Sequence, residues 1–132
     1  MKESLVLLCL MHRKALPKVE VIYESADISS EFLDSIINIK GLKGIVLAGM
    51  GNGNIPSNQT EFLKRAREKG IIVVRSSYVG SGRVSFDYNN LDSQFDLVSS
   101  GILSPEKSRI YLQLCLTKTS NVNEIRKLFS QF

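Results

Sequence analysis

The residues best placed to do chemistry in this chain form the segment Gly49–Asn54, which reads GMGNGN. It follows the apolar run GIVLAG and precedes a proline and a predicted helix. Glycines between a strand and a helix are typical of phosphate-binding loops, because backbone N–H groups can then approach an anion closely. They are equally typical of a plain turn, since glycine adopts positive φ and asparagine tolerates it. The segment is therefore a candidate phosphate cradle, a turn, or part of another polar site.

The spacing of the glycines argues against a nucleotide site. The dinucleotide pattern G-x-G-x-x-G requires its third glycine one residue after Gly53, and Pro56 intervenes before the helix. A Walker loop requires Lys followed by Ser or Thr, where this chain has Asn54 and Ile55. A turn explains the glycines but not the carboxamides. Asparagine offers a donor and an acceptor together, which suits a small polar ligand such as an amino acid.

Other reactive side chains are isolated in the sequence. Cys9 and Cys115 lie in apolar runs without a second ligand at metal-binding spacing, so we expect buried, inert thiols. The single histidine, His12, stands beside two basic residues, and we expect it at the surface. No nucleophile is followed by a partner that would act as its base. The residues alone therefore predict no catalytic group and no metal site.

Composition and charge are those of an ordinary globular domain. The chain has 132 residues, of which 43% are hydrophobic and 23% are charged, and its net charge is +4. The basic residues alternate with acidic ones, as in LKRAREKG, which is typical of a solvated helix face and not of a nucleic-acid partner. The apolar run Leu5–Met11 is too short to span a bilayer, and no small residues follow it as a signal-peptide cleavage site requires. We expect neither nucleic acid nor membrane as a partner.

Strand and helix patterns alternate along the rest of the chain. Apolar or β-branched runs predict strands at 19–23, 44–49, 71–77 and within 96–101. Helix starts are predicted at four caps: Ser29 or Ser30, Asn58 with Glu61, Ser104 with Pro105, and Asn121 with Glu124. The stretch 78–95 is predicted as a long loop, with a possible hairpin around Gly80 and Gly82.

This order predicts a small three-layer α/β domain with a mostly parallel four-stranded sheet flanked by about four helices. Ligands of such sheets gather beyond the carboxyl ends of the strands. GMGNGN follows the second predicted strand and SSYVGSG follows the third, so we expect both loops at one edge.

Four segments together carry a resemblance to a known family. GIVLAGMGNGN, GIIVVRSSYVGSGRV, SSGILSPEKSRIYLQLCLTKT and NEIRKLFSQF resemble, in order and spacing, the carboxyl-terminal domain of bacterial type II L-asparaginases, of the asparaginase/glutaminase family. The match covers 16–132. Residues 1–15 depart from the family and are interpreted as an atypical leader or a linker remnant.

The resemblance implies an amidohydrolase that releases ammonia from asparagine, and often from glutamine, through a threonine nucleophile and without a cofactor. The family carries its catalytic threonines in the amino-terminal domain, in T-G-G-T and T-D-T motifs. Neither motif occurs here, where the only threonines are Thr60, Thr117 and Thr119. We therefore expect a domain that is inactive alone and that meets L-asparagine or L-glutamine only together with a catalytic domain.

The resemblance also implies two substrate-contacting positions, which serve the active site of a neighbouring subunit. An Asn of the glycine loop corresponds to Asn54. A Glu in a Glu-aliphatic-Asp pattern corresponds best to Asn90, or to Asn89 in an ungapped count. Either match replaces a carboxylate that would pair with the substrate ammonium, an interaction of about 1.5–3 kcal/mol. The family's usual Arg after SS is Tyr78.

Assembly and compartment follow as further expectations. Loss of the catalytic domain would expose apolar surface, so a homo-oligomer is expected. Full-length relatives are commonly periplasmic, but their signal precedes the missing domain, so the chain as written is expected in the cytoplasm. The alternative is a non-enzymatic α/β module that binds a polar small molecule or a partner protein.

Overall fold

Four parallel strands form the sheet of this protein. The computed structural model describes residues 15–25, 27–79 and 83–132. The strands are β1 (Lys18–Tyr23), β2 (Leu42–Gly49), β3 (Ile72–Ser77) and β4 (Val98–Ser99). They lie side by side in that order, and each pairing is parallel. The predicted fold class, a small α/β domain with a parallel sheet, is confirmed.

Helices return the chain between successive strands, as parallel pairing requires. The described helices are α1 (Ser30–Ile37), α2 (Thr60–Glu68), α3 (Leu91–Phe95), α4 (Pro105–Leu116) and α5 (Val122–Phe129). The first three each join two neighbouring strands, whereas α4 and α5 follow β4. The described residues thus hold five α-helices and not about four. The additional one, α3, has five residues and is too short to show a helical period.

Two apolar layers pack against opposite faces of the sheet. Alternate residues of the strands point to opposite faces, as Val46 and Leu47 do in β2. Leu47 belongs to the layer that includes Leu33 of α1 and Phe62 of α2. Val46 belongs to the layer that includes Leu112 of α4 and residues of α5. The sheet is therefore covered on both faces, which explains the continuous apolar run in β2.

Three of the four predicted helix caps form. Ser29 accepts a hydrogen bond from Phe32 N, Ser104 accepts one from Lys107 N, and Asn121 accepts one from Glu124 N. Pro105 occupies the first position of α4, as predicted.

The fourth cap, Asn58 with Glu61, is not observed. Ser57–Gln59 form a 3-10 turn, and α2 begins at Thr60 without a side-chain cap. Inside that turn, Gln59 N donates to Pro56 O and Thr60 N donates to Ser57 O. Asn58 therefore lies inside the 3-10 turn, and Gln59 instead of Asn58 occupies the N-cap position of α2.

The fourth strand is shorter than the 96–101 segment in which it was predicted. Only Val98 and Ser99 pair with β3. Ser100 N still donates to Arg75 O, and Gly101 then turns the chain with φ of +63°. The hairpin predicted around Gly80 and Gly82 lies outside the described residues.

Candidate functional site

A fully buried arginine lies near the carboxyl edge of the sheet. Arg75 of β3 stands in register between Leu47 of β2 and Ser99 of β4. Its exposed fraction is 0%, and it follows three buried apolar residues of β3, Ile72, Val73 and Val74. An unpaired charge in such a place would cost several kcal/mol, about the free energy that stabilises a small domain, so the side chain requires partners.

Asp92 of α3 supplies the counter-charge. Nε and Nη2 of Arg75 each donate to one Asp92 oxygen over 2.9 Å, in a two-pronged pair. Asp92 is itself 0% exposed and also accepts a hydrogen bond of 2.6 Å from Asp87 N. The ion pair thereby fixes β3 and α3 to each other.

The remaining donors of the guanidinium hold two loops. Nη1 of Arg75 donates to the Asn52 carbonyl in the glycine loop, and Nη2 also donates to the Ser85 carbonyl. The side chain of Asn52 in turn accepts a 2.8 Å hydrogen bond from Ser85 N. We refer to Arg75, Asp92, Asn52 and Ser85 as the arginine clamp. It joins the glycine loop to the segment after residue 83.

The glycine loop is shaped to fit the clamp. Gly53 has φ of +72°, and a Cβ there would lie 2.9 Å from Nη1 of Arg75 and 3.0 Å from the Ser76 carbonyl. Its N–H and that of Asn54 both donate to the Met50 carbonyl over 3.0 Å. These two donors are therefore not available to a phosphate, which supports the sequence-based argument against a nucleotide cradle.

Asn54 and Asn90, the two residues predicted to contact substrate, lie on the two loops that the clamp joins. Asn54 is exposed and makes no side-chain hydrogen bond to any described residue. Asn90 is also exposed and has φ of +61°, directly before α3. Asn89, the other match, has φ of +54° and is exposed. Asparagine tolerates this backbone region better than most residues, so it suits both positions.

The role of Arg75, which bonds to both loops and to α3, was not predicted from the sequence. A signal was present, because a lone arginine interrupts the apolar run IIVV in a strand predicted to be covered on both faces. Asp92 corresponds to the last residue of the Glu-aliphatic-Asp pattern, and that pattern does not indicate a buried partner for an arginine. Its role as the partner of Arg75 depends on how the chain folds.

An aromatic groove of about 270 Å³ lies beside the end of β3. Tyr78 N donates to Gly49 O over 3.0 Å, and its ring centroid lies 6.1 Å from that of Tyr23. The Tyr23 hydroxyl donates to a Glu106 oxygen, which lowers the pKa of Glu106 and raises the pKa of Tyr23. Tyr23, Tyr78 and Ile102 are exposed apolar side chains along this groove.

A buried carboxyl group follows β1 on the opposite face. Glu24 is 6% exposed, and neither of its side-chain oxygens has a hydrogen-bond partner of normal geometry among the described residues. Burial raises the pKa of Glu24 to about 7, and the nearby Gln59 side chain opposes this rise by favouring the charged form. Glu24 is therefore protonated below neutral pH, where most surface carboxyl groups are ionised.

The three threonines of the chain lie at or beside helix ends and not in the two loops that the clamp joins. Thr117 donates to Leu114 O and Thr119 accepts from Asn121 N, so both serve helix ends. The thiol of Cys115 is buried, as predicted, and burial raises its pKa to about 11. Cys9 and His12 lie outside the described residues.

Metal-binding clusters and membrane-spanning helices are absent from residues 15–25, 27–79 and 83–132. These residues contain no cluster of three or more His, Cys, Asp or Glu side chains that could hold a metal ion. None of their helices has the length and apolar character needed to cross a membrane.

The fold and this edge define a class of protein: a three-layer α/β domain whose carboxyl-edge loops are held by a buried arginine. A family model described as "Glutaminase/Asparaginase C-terminal domain" matches residues 18–129. The chain belongs to this family, in agreement with the resemblance found in the sequence.

Full-length relatives are similar to the chain over most of its length. "Probable L-asparaginase periplasmic" of Haemophilus influenzae is 40% identical over 118 residues, which cover 89% of this chain and 34% of that protein. "L-asparaginase 2" of Escherichia coli is 38% identical over 89% of this chain and 33% of that protein. "Glutaminase-asparaginase" of Pseudomonas fluorescens is 32% identical over 90% and 33%. The chain spans about a third of the length of these curated relatives.

Proposed function

We propose that this chain is the substrate-lid and dimerisation domain of an asparaginase or glutaminase-asparaginase, and that it has no amidohydrolase activity alone. The observation that carries the proposal is the arginine clamp. It holds the loops of Asn54 and Asn90 at the carboxyl edge of the sheet, where α/β domains bind ligands. Both asparagines are exposed, so their carboxamides are free to contact a molecule bound by a neighbouring subunit.

The lack of activity is tested directly. Two of the three threonines are engaged at helix ends, and Cys115 is buried with a raised pKa. The purified chain should release no ammonia from L-asparagine or L-glutamine above the level of a mock preparation. Turnover that co-purifies with the chain, and that changes when Thr60 is replaced by alanine, would contradict the proposal.

A chimera tests the contribution to substrate binding. Residues 18–129 would replace the corresponding part of E. coli L-asparaginase 2. In an active chimera, Asn54→Ala should lower kcat/KM about tenfold to a hundredfold, because one hydrogen bond to a charged substrate is lost. The matched control is Asn58→Ala, an exposed asparagine on the following turn. Equal effects of the two substitutions would exclude the assigned role of Asn54.

The same chimera tests the missing carboxylate. If the family glutamate corresponds to Asn90, Asn90→Glu should lower KM for asparagine about tenfold by restoring a charge for the substrate ammonium. Asn89→Glu is the matched variant, since Asn89 is exposed and has a similar backbone conformation. The variant that improves KM identifies the corresponding position, and no gain from either would show that this loop does not meet the substrate.

The proposal includes assembly into homo-oligomers. Its support is the exposed apolar side chains along the aromatic groove, of which Ile102 is 66% exposed and Tyr23 is 51% exposed. Sedimentation velocity over a hundredfold range of concentration should detect self-association. A monomer throughout that range would contradict it.

The choice of partners and the compartment are proposals as well. We propose that nucleic acids and membranes are not partners, since the basic residues of the chain are interspersed with acidic ones. A cytoplasmic location is proposed as well, although the name of one relative includes the word periplasmic. Cell fractionation checks the compartment, and recovery in the periplasm would contradict it.

A competing function is a non-enzymatic module that binds a polar small molecule or a partner protein. Calorimetric titration with asparagine, aspartate and ATP separates the two. Tight binding of ATP that is lost in Gly53→Ala would favour the competing function.

A further inference from the structure

A cavity of about 320 Å³ lies between the segment 83–86, the end of β4 and helix α5. Its size is within the range of small-molecule sites. Basic and aromatic side chains line it together: Arg83, Arg126 and Lys127, with Phe86 and Phe129. We refer to these five residues as the basic cavity.

The charge around this cavity is of one sign. Three cationic side chains line it, and neither aspartate nor glutamate does. Arg83 and Lys127 are exposed, and neither forms an ion pair with a carboxylate of the described part of the chain. The pKa of nearby Asp87 is lowered, mainly by hydrogen bonds from Ser93 and further by the charge of Arg126. An anion in the cavity would therefore meet the charges of Arg83 and Lys127, with which no described aspartate or glutamate forms an ion pair.

The third cation is held rigidly. Nε of Arg126 donates to Leu97 O over 3.0 Å, and Nη2 donates to Asp92 O over 2.8 Å. The guanidinium carbon lies 5.5 Å from the centre of the Phe86 ring, a cation–π arrangement. Arg126 consequently contributes a fixed positive charge, while Arg83 and Lys127 retain free donors for a ligand.

The cavity also contains an exposed aromatic ring, that of Phe86. Phe86 is 57% exposed although it is a large aromatic residue, and it lies beside the buried Phe129. A ligand with an apolar body would cover the exposed ring and gain about 25 cal/mol for each Å² removed from water. A purely polar ion would leave that ring exposed.

We propose that the basic cavity binds a small organic anion, in which an aromatic or aliphatic body carries a carboxylate or phosphate group. Arg83 and Lys127 bind the anionic group, and Phe86 packs against the body. The cavity uses neither Asn54 nor Asn90, so the inference does not depend on the function proposed above.

Nuclear magnetic resonance titration of the full 132-residue chain tests the inference. The probes are phenyl phosphate, inorganic phosphate and benzyl alcohol, which separate the charge from the ring. Phenyl phosphate should shift the backbone amides of 83–86, 99–101 and 126–130 and saturate. Its Kd should be at least fivefold lower than that of either other probe.

Variants locate the site. Lys127→Gln and Arg83→Gln should each raise the Kd for phenyl phosphate about tenfold, since each removes a charged hydrogen bond to the anion. The matched control is Lys43→Gln, which removes an exposed charge at the amino end of β2. All three substitutions are at exposed positions, and circular dichroism confirms that each variant is folded.

Three results would overturn the inference. Benzyl alcohol binding as tightly as phenyl phosphate would mean that the cavity recognises apolar groups only. A tenfold rise in the Kd for phenyl phosphate with Lys43→Gln would mean that binding depends on the net charge of the chain and not on a specific site. No saturable shift with any probe would mean that the cavity binds no anion of this class.

Discussion

At the scale of single residues, the candidate site depends on one buried ion pair. Arg75 and Asp92 are both 0% exposed and are joined by two hydrogen bonds of 2.9 Å. Such a pair need not stabilise a fold relative to apolar residues of the same size, but each partner depends on the other. Arg75 also donates to the carbonyls of Asn52 and Ser85, so the pair positions the two loops that contain these residues.

Removing the negative partner should be costly. Asp92→Asn leaves the charge of Arg75 buried without compensation, so the free energy of unfolding should fall by about 3–5 kcal/mol. Urea denaturation followed by circular dichroism measures it, and a variant that is unfolded in buffer also meets the prediction. The control is Asp96→Asn, because Asp96 contacts Arg67 at 3.5 Å with both side chains about half exposed, and its loss should cost less than about 1 kcal/mol. Equal losses in the two variants would contradict the role of the buried pair.

Glu24 predicts an unusual dependence of stability on pH. Burial raises its pKa from 4.5 to about 7, so the folded chain binds this proton more tightly than the unfolded chain does. The resulting stabilisation is fully present below about pH 4.5 and is lost as pH rises through 7, with a total of about 3 kcal/mol. In Glu24→Gln this contribution should disappear.

The measurement is the free energy of unfolding at intervals from pH 4 to pH 8.5 for wild type and variant. The difference in the free energy of unfolding between wild type and Glu24→Gln should change with pH between 4.5 and about 7, the ordinary and the raised pKa of Glu24. The control is Glu20→Gln, which replaces an exposed carboxyl group on β1, the strand that Glu24 follows. A flat difference for Glu24→Gln would disprove the assignment.

At the scale of elements, the glycine loop is matched to its surroundings at Gly53. This residue combines a φ of +72° with an approach to Arg75 and to the Ser76 carbonyl that leaves no room for a Cβ. Gly41 also has a positive φ, +79°, but a Cβ there would meet no atom within 4 Å. A substitution at either glycine incurs the cost of a strained backbone, but only a substitution at Gly53 also incurs the cost of crowding.

Alanine substitutions test this distinction. Gly41→Ala should cost about 1–2 kcal/mol, the strain of a left-handed backbone alone. Gly53→Ala should cost about 1–3 kcal/mol more, because the methyl group must displace the clamp or the backbone of β3. Urea denaturation of both variants gives the comparison, and equal costs would show that the loop is not held tightly against Arg75.

The elements also show which local signals are sufficient. The caps at Ser104 and Asn121 form as predicted. Each of these side chains bonds to a backbone N–H three residues later, within one turn of its helix. Asn58 carried the same kind of signal, yet the 3-10 turn Ser57–Gln59 delays α2 by one residue, so Asn58 does not occupy the N-cap position. Helix α3 gave no periodic signal, because five residues make little more than one turn.

At the scale of the whole molecule, exposed apolar side chains are unevenly distributed. Tyr23, Tyr78 and Ile102 lie along one groove, whereas Phe32 stands on α1 against the opposite face of the sheet. If the chain self-associates as proposed, covering the groove would remove these three exposed side chains from water.

Ile102→Ser should therefore weaken self-association about tenfold, since one large apolar contact corresponds to about 1.4 kcal/mol or more. Phe32→Ser is the control, because Phe32 is 49% exposed and lies away from the groove. Sedimentation equilibrium of both variants measures the change. A larger effect of Phe32→Ser would assign the interface to α1 instead.

The sequence by itself determined the four parallel strands, most helix starts and the family of this protein. These follow from patterns within a few residues, or from whole segments that keep the order and spacing of a family. Only the tertiary structure decided the partner of Arg75, the burial of Glu24 and the charge of the basic cavity. Each depends on residues that are far apart in the chain, such as Arg75 and Asp92, and these meet because strand register and helix packing bring them together.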